Sequence, residues 1–539
     1  MVDSFFRSFL AGESASQSLL AASFRDPQRR VAHVRRAAQR SIAPGLLEVL
    51  RRQNERLAPS DARARNLASL SRGGTAAVVT GQQLGLFLGP LFTLYKVASA
   101  VAAARALEKE SGIRCVPVFW MQTEDHDFPE IDHCHLLLPD GSRQTLRLND
   151  ALGESGQRVS VKHRLLGEDC QRLTGALEDA LGELPFSREV LPLIREHYRP
   201  GQSLAGAFAG LLATIFADEG LILLDPRDAS IAKGTASPIY RRSLVECDRI
   251  ATALLERIEA LARAGFATQV HVRAASPLFF FHQDGPEGER FRLERAGDVW
   301  TLVGTHQSIS TEELLPLLEA EPLRFSSSAL VRPILQDQLI PTAAYVGGPA
   351  EVSYFAQLPP LYEIFQLPMP LVIPRARFRL LEARAMTLLR KLNLKPSDVE
   401  VAVDQLVVKS PEEGGTDYPS PELVKDRLMT PLLRQLDEFQ GIAESLGPSL
   451  LKAVGRTRAT VLRATSRLTG RYERSLRDRD RVAVERLRRV RSLLFPESVP
   501  QERYDSFPYF ACKYGLTALK ERVFASLDPF AGEVRDVQL

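Results

Sequence analysis

Up to about residue 72, apolar positions recur three and four apart, as at Leu46, Val49 and Leu50, in a stretch rich in Arg and Ala that stops at the breaker Gly73-Gly74. That period is helical, and the segment is expected to form a lid or side layer. The pattern then changes to short apolar runs separated by longer helical stretches: residues 76–79, a helix over about 90–110, then 115–120. A strand, a helix and a second fully apolar strand mark a parallel sheet covered on both faces. Further buried strands are expected at 221–224, 330–335, 343–346 and 371–373. The fold class is α/β with a Rossmann-like core.

Two stretches carry alternating patterns that decorate this core. Residues 134–200 contain Gln144-Thr145-Leu146-Arg147-Leu148 and a polar helix near 168–183. Residues 266–303 contain Gln269-Val270-His271-Val272, Leu278-Phe279-Phe280-Phe281 and Val299-Trp300-Thr301-Leu302-Val303, with a turn at Asp284-Gly285-Pro286. Both read as antiparallel insertions. From 377 the chain becomes helical, and 422–495 holds two long segments broken at Gly447-Pro448. The first has a seam at Leu428, Leu432, Leu436, Phe439 and Ile442, and the second repeats more loosely through Val454, Val461, Leu468, Tyr472, Leu476, Leu487, Val490 and Leu494. Such spacing predicts an antiparallel coiled-coil hairpin. The expected domains are a core over 1–376, a helical coiled-coil dimerisation domain over 377–500, and a segment over 501–539, aromatic around 504–514, that returns to pack on the core.

Composition narrows the function classes. The 539 residues, 45% hydrophobic and 25% charged, have room for roughly three or four domains and a core that needs neither disulfides nor metal. A net charge of +3 gives no global field that draws in nucleic acid or membrane. Residues 451–491 are a local exception, with 14 Lys or Arg against 4 Asp or Glu. A solvated face of a dimerisation hairpin is the plainer account of that bias, and phosphate contact with nucleic acid the lesser one. The five cysteines, Cys115, Cys134, Cys170, Cys247 and Cys512, form no C-x-x-C pair and no disulfide framework, which suits a reducing cytoplasm. Acidic Asp3 and Glu13 interrupt the first residues, so a signal peptide is not expected, and no run of eighteen apolar residues suggests a membrane span.

Three clusters could carry chemistry. The strand at 76–79 runs into Thr80-Gly81-Gln82-Gln83-Leu84-Gly85-Leu86-Phe87-Leu88-Gly89-Pro90, where glycines let amides approach a ligand and Pro90 starts a helix whose N-terminus favours an anion. The spacing matches neither the dinucleotide nor the Walker fingerprint, and a tight packed turn explains it as well. Lys96 lies on the following helix and could reach back to a phosphate or carboxylate. After the second apolar strand comes Gln122-Thr123-Glu124-Asp125-His126-Asp127, beyond a strand's carboxyl end where open parallel sheets bind ligands. Three carboxylates around one histidine suit a general base or acid, although an N-cap with solvated acids accounts for them too. His133 and His135 follow closely, but no metal-ligand spacing appears and no metal is predicted. The third cluster joins Arg332 to Tyr345, Gly347, Gly348, Glu351 and Tyr354, with Glu351 where a helix should begin, either to hold an ammonium or hydroxyl or to cap the helix.

These blocks, VVTGQQLGLFLGPLFTLYK, VPVFWMQTEDHDFPEIDH, LLDPRD and RPILQDQLIPTAAYVGGPAEVSYFAQL, with the late helical hairpin, closely resemble the cysteine ligases of bacillithiol biosynthesis, the bacillithiol cysteine-adding enzymes. The resemblance runs in order from about residue 75 to the C-terminus. It implies a cytoplasmic bacterial enzyme that joins L-cysteine to glucosaminyl-malate by an amide bond, on a Rossmann-like core related to class I aminoacyl-tRNA synthetases, with a coiled-coil dimerisation domain. The synthetase phosphate loops have no counterpart: the first-strand loop lacks histidine, and Lys409-Ser410 is a poor substitute for the later Lys-Met-Ser-Lys-Ser. ATP or another nucleotide is left open, as is the way the cysteine carboxyl is activated. Placement and residue type assign His126, assisted by Asp127 and Asp125, as the base for the amine. They assign Gln82 or Gln83 with the amides of Gly81 and Gly85 to the carbonyl oxygen, Lys96 and Arg332 to the malyl carboxylates, and Glu124, Tyr345, Glu351 and Tyr354 to substrate binding. The alternatives are another ATP-dependent amino-acid ligase or nucleotidyltransferase on this core, and a nucleic-acid-binding protein that uses the basic hairpin.

Overall fold

A computed structural model of the chain describes residues 4–149, 158–401, 418–479 and 481–539. The chain divides into two compact units, Met1–Phe378 with Glu502–Val537, and Arg379–Gln501 with Gln538–Leu539. Lys409 and Ser410 lie outside the described residues.

The first unit is built on a parallel sheet of β1 (Ala76–Gln82), β2 (Cys115–Met121), β5 (Ile222–Leu224), β11 (Thr342–Gly347) and β12 (Leu371–Pro374), in the order β12-β11-β1-β2-β5. Between β2 and β5 lies the antiparallel hairpin β3 (His133–Leu137) and β4 (Arg143–Arg147). A second, antiparallel sheet orders β6 (Phe279–His282), β7 (Arg290–Ala296), β8 (Val299–Leu302), β9 (Ser308–Ser310) and β10 (Phe325–Ser327) as β10-β6-β7-β8-β9. Ala76, Ala77, Val78 and Val79 are all fully buried, as a strand covered on both faces requires. Each buried valine or leucine contributes roughly 1.5–3 kcal/mol, so a one-residue slip of register is strongly disfavoured. The helix α1 (Phe92–Ser111) crosses from β1 to β2; its alanines at 98, 100, 103 and 104 are buried, and it ends where Gly112 takes the left-handed φ of +71° and donates to Glu108 O.

The structure departs from the sequence reading in several places of this unit, and the antiparallel sheet runs past the expected 266–303 to β9 and β10. Residues 330–335 are not a strand: Arg332–Leu339 is a helix, α2, because Pro333 sits in its first turn, where a missing N–H is harmless. Gln269-Val270-His271-Val272 forms no strand either. The Gln357 side chain takes the place of a neighbouring strand, accepting from Val270 N at 3.0 Å and donating to Val270 O at 2.9 Å. Strand β7, which the sequence reading passed over, pairs with both β6 and β8. The turn at Asp284-Gly285 does form, with φ of +55° and +106°.

In the second unit, α4 (Pro421–Leu446) and α5 (Pro448–Arg479) make an antiparallel hairpin that reverses at Gly447, φ +124°. (Helix α3, Pro349–Phe355, belongs to the first unit.) Arg458 pairs with Asp437, and Tyr472 OH donates to Pro419 O at 2.8 Å. The seam departs from the expected one on the first helix, whereas on the second the expected Val454 is buried and Val461, Tyr472 and Leu476 are half-buried. Ala443, Val454, Thr465 and Thr469 are buried, whereas Leu428, Leu432, Phe439 and Ile442 stand exposed; of the expected first-helix seam only Leu436 is half-buried.

Candidate active site

The chain order of the parallel sheet reverses between β1 and β11, a topological switch point where open α/β sheets leave a crevice beyond the strand ends. A cleft of about 440 Å³ opens there. It is lined from β1 by Gln82 and Gln83, from the β2 exit by Gln122, Glu124, Asp125 and His126, and from the β11 exit by Gly348 to Glu351, with Arg375 following β12. The antiparallel sheet adds Phe280, Arg290 and Ser327, and α2 and α3 add Arg332 and Tyr354. Strands β1 and β2 pair with Gly81 opposite Trp120 and Gln82 opposite Met121, which brings the two exit loops to one rim.

Lys96 points from α1 to the end of β1 and is buried. Its ammonium donates to Gly81 O at 2.7 Å and Gln82 Oε1 at 2.7 Å, and pairs with Glu351. An ammonium has three protons, and all three are taken, so Lys96 has none for a substrate carboxylate. Burial pulls it down to about 8, which still leaves it charged at neutral pH. Glu351 is equally committed. It accepts from Tyr345 OH at 2.6 Å and from Gly348 N at 2.7 Å, the latter closing the first turn of α3. Burial alone would raise its carboxyl, but Lys96 and these donors hold it below the ordinary range. Lys96, Glu351 and Tyr345 therefore form the buried floor, and Tyr345 does not line the cleft.

Arg332 differs. One guanidinium nitrogen, Nη2, bonds Tyr354 OH, while Nη1 is buried with no protein partner. Arg375, by contrast, is spent in a bidentate pair with Glu502 at 2.8 and 2.9 Å. Gln82 also keeps a free group, since among the described residues its Nε2 has no protein partner on the cleft rim. Gln83 does not: its Nε2 donates to Asp125 Oδ2 at 2.8 Å and Glu130 Oε2 at 2.5 Å, so it bridges carboxylates and cannot receive an oxyanion.

At the β2 exit, Glu124 is buried and bonded to the Ser327 hydroxyl; burial raises its carboxyl, opposed by Ser327, Arg227 and Arg290. Asp125 Oδ1 accepts His126 N at 2.7 Å, and although burial would raise it, Arg290 and its hydrogen bonds hold it low. His126 Nδ1 lies 3.0 Å from Arg290 Nη1 and 3.9 Å from Asp125 Oδ1. Burial and Arg290 push the imidazole down to about 4. The sequence assignment of Asp127 as its partner fails, because Asp127 is exposed and outside the cleft. A base acting through Nδ1 is excluded too, since that nitrogen faces a guanidinium. Arg290 and Ser327 escaped the sequence reading; the alternation Arg290-Phe291-Arg292-Leu293 was the available signal for their sheet.

The glycine loop is a packing device. A Cβ on Gly81 would lie 2.8 Å from Trp120 O, and one on Gly85 would lie 2.8 Å from Gly89 Cα. Neither glycine lines the cleft. The amides that follow are used internally: Leu86 N on Ile131 O at 2.8 Å, Gly89 N on Leu86 O at 2.9 Å, and Leu91 N on Asp505 O at 2.9 Å. His133 and His135 sit apart, bonded to Asp132 at 2.8 Å and Thr145 at 2.9 Å, and among the described residues no group of three or more His, Cys, Asp or Glu could hold a metal.

Comparison with known proteins covers both units. Residues 2–376 match the family model described as bacillithiol biosynthesis BshC, N-terminal Rossmann-like domain, and residues 378–537 match bacillithiol biosynthesis BshC, C-terminal coiled-coil domain. Among curated relatives named "Putative cysteine ligase BshC", that of Koribacter versatilis is 36% identical over 473 residues, 88% of this chain and 86% of its own. That of Salinibacter ruber is 32% identical over 501 residues, 92% of this chain and 89% of its own, and that of Bacillus cytotoxicus 28% over 478 residues, 87% and 86%.

Proposed function

The chain belongs to the bacillithiol biosynthesis BshC family, and from that membership we propose that its cleft joins L-cysteine to glucosaminyl-malate through an amide bond. The observation that carries the reading is the cleft's uneven chemistry at the switch point. Of the buried cations around it, Arg332 alone among the described residues pairs a buried, unpartnered nitrogen with a place on the cleft wall. A substrate carboxylate would complete it, and malate brings two. Glu124 and Asp125 line the same cleft and bring carboxyl oxygens to meet a substrate ammonium. Gln82 Nε2 is free to donate to the carbonyl oxygen on which charge grows as the amine attacks. A cleft of about 440 Å³ lies within the usual range for small-molecule sites.

Amide formation from a free carboxylate needs an activating donor, and ATP is the one we propose to supply. The test is direct: purified protein, cysteine and glucosaminyl-malate are incubated with and without ATP, and the thiol conjugate is followed by mass. Conjugate with another amino acid in place of cysteine would favour a different ligase.

We further propose a homodimer formed through α4. Its exposed Leu428, Leu432, Phe439 and Ile442 make an apolar stripe of the kind that seeks a partner. A cytoplasmic location is part of the same proposal. It is supported by five cysteines that are all buried and unpaired.

A further inference from the structure

We propose that Arg290 is a positioning residue that locks His126 as a neutral imidazole with its proton on Nε2, so that His126 donates a hydrogen bond to an oxygen of the reacting carboxyl group and does not serve as the base. The part played in amide formation rests on the ligase reading above. The tautomer does not.

Arg290 has little freedom. At the start of β7 its Nε donates to Ser326 Oγ at 2.9 Å, its Nη2 donates to Ser327 O at 2.7 Å, and its guanidinium carbon lies 3.7 Å from the centre of the Phe280 ring. These anchors aim Nη1 at His126 Nδ1, 3.0 Å away. A guanidinium carries five donors and no acceptor, so the facing Nδ1 must present its lone pair. A neutral imidazole with a bare Nδ1 holds its proton on Nε2. Protonating Nδ1 would break that hydrogen bond and set two cations side by side in a largely buried place.

The other charged neighbours do not reverse this. Asp125 Oδ1, 3.9 Å from Nδ1, is already shared by the amides of His126 and Asp127 and faces Arg290 at 3.8 Å. Arg158 and Arg164 add further positive charge, so His126 stays uncharged at neutral pH. Among the described residues Nε2 has no protein partner, and the ring lines the cleft. A neutral N–H there, with Gln82 Nε2, forms a pair of donors for an oxyanion, which costs no proton bookkeeping.

The test uses the full chain labelled with ¹⁵N-histidine, His126 being assigned by difference from His126→Asn. The expected spectrum is that of a neutral Nε2–H imidazole that does not titrate between pH 8 and pH 5. Titration near the ordinary histidine value, or a proton on Nδ1, overturns the proposal. In Arg290→Gln the His126 midpoint should rise by at least one pH unit, while Arg290→Lys restores part of the silence. Unchanged behaviour in Arg290→Gln refutes the positioning role. Should that variant not fold, His126→Gln still decides, since its amide N–H should retain at least tenfold more kcat than His126→Ala, and equal loss in both removes the donor role. The wild-type spectrum contains no substrate, so it stands or falls apart from the ligase activity.

Discussion

Replacing Arg332 by methionine removes the buried cation with a nitrogen to spare while keeping most of the side-chain volume. Arg332 is 9% exposed at the start of α2 and lines the cleft, with Nη2 on Tyr354 OH and Nη1 buried without a protein partner. A hydrogen bond between charged partners contributes about 1.5–3 kcal/mol, and each decade of rate corresponds to about 1.4 kcal/mol. The variant should therefore lose about 10- to 150-fold in kcat/KM for glucosaminyl-malate, with the KM for cysteine little changed. Steady-state kinetics with each substrate varied in turn separates the two. An analogue that lacks one malyl carboxylate completes the cycle: the wild type should lose a similar factor on the analogue, and Arg332→Met should lose little more. Tyr354→Phe removes the Nη2 contact but keeps the cation, and should have a smaller effect. Equal losses for both substrates, or a full second loss on the analogue, would show that Arg332 does not meet the malyl group.

Lys96→Met leaves Glu351 ionised and buried against Tyr345, so it should destabilise the first unit by about 3–5 kcal/mol, and adding Glu351→Gln should restore at least half of that in denaturant titrations. Simple additivity of the two changes would mean the pair is not coupled. Gly85→Ala drives a Cβ to 2.8 Å from Gly89 Cα and should cost about 1–3 kcal/mol of stability, with turnover per folded molecule kept because Gly85 is outside the cleft. A stable but inactive Gly85→Ala chain would return the loop to the active site. Deleting 422–495, or introducing Leu432→Glu with Phe439→Glu, should give monomers in sedimentation; dimers that persist would move the interface elsewhere. The intact chain should pass RNA and DNA columns without salt-sensitive retention, and strong retention lost at high salt would revive a nucleic-acid role for the basic helix α5.

The parallel strands were legible because they are buried on both faces, which leaves runs such as Val116 to Trp120 with no polar position to blur them. The same logic misled at 330–335, since a short, mostly apolar stretch interrupted by Arg332 reads alike as a buried strand or as one face of a helix, and in the structure Arg332, Gln336 and Asp337 are buried along with the apolar positions of α2. Strand β7 was missed for a functional reason. Its large apolar positions are only Phe291 and Leu293, and the polar position at 290 is buried as well, where Ser326, Ser327 and His126, the last 164 positions away, accept the protons of its arginine. The hairpin seam failed similarly, because an apolar stripe does not say whether its own partner helix or another chain covers it. Residue types at the site were readable, but their availability was not. Lys96 and Gln83 look like free donors until their acceptors are counted, and Arg332 and Gln82 look no different from them. Availability is a property of the closed hydrogen-bond account, and the partners that close it come from β1, β2, α3 and the antiparallel sheet together. A sequence motif names candidates for chemistry, and the folded neighbours decide which of them still has a proton to offer.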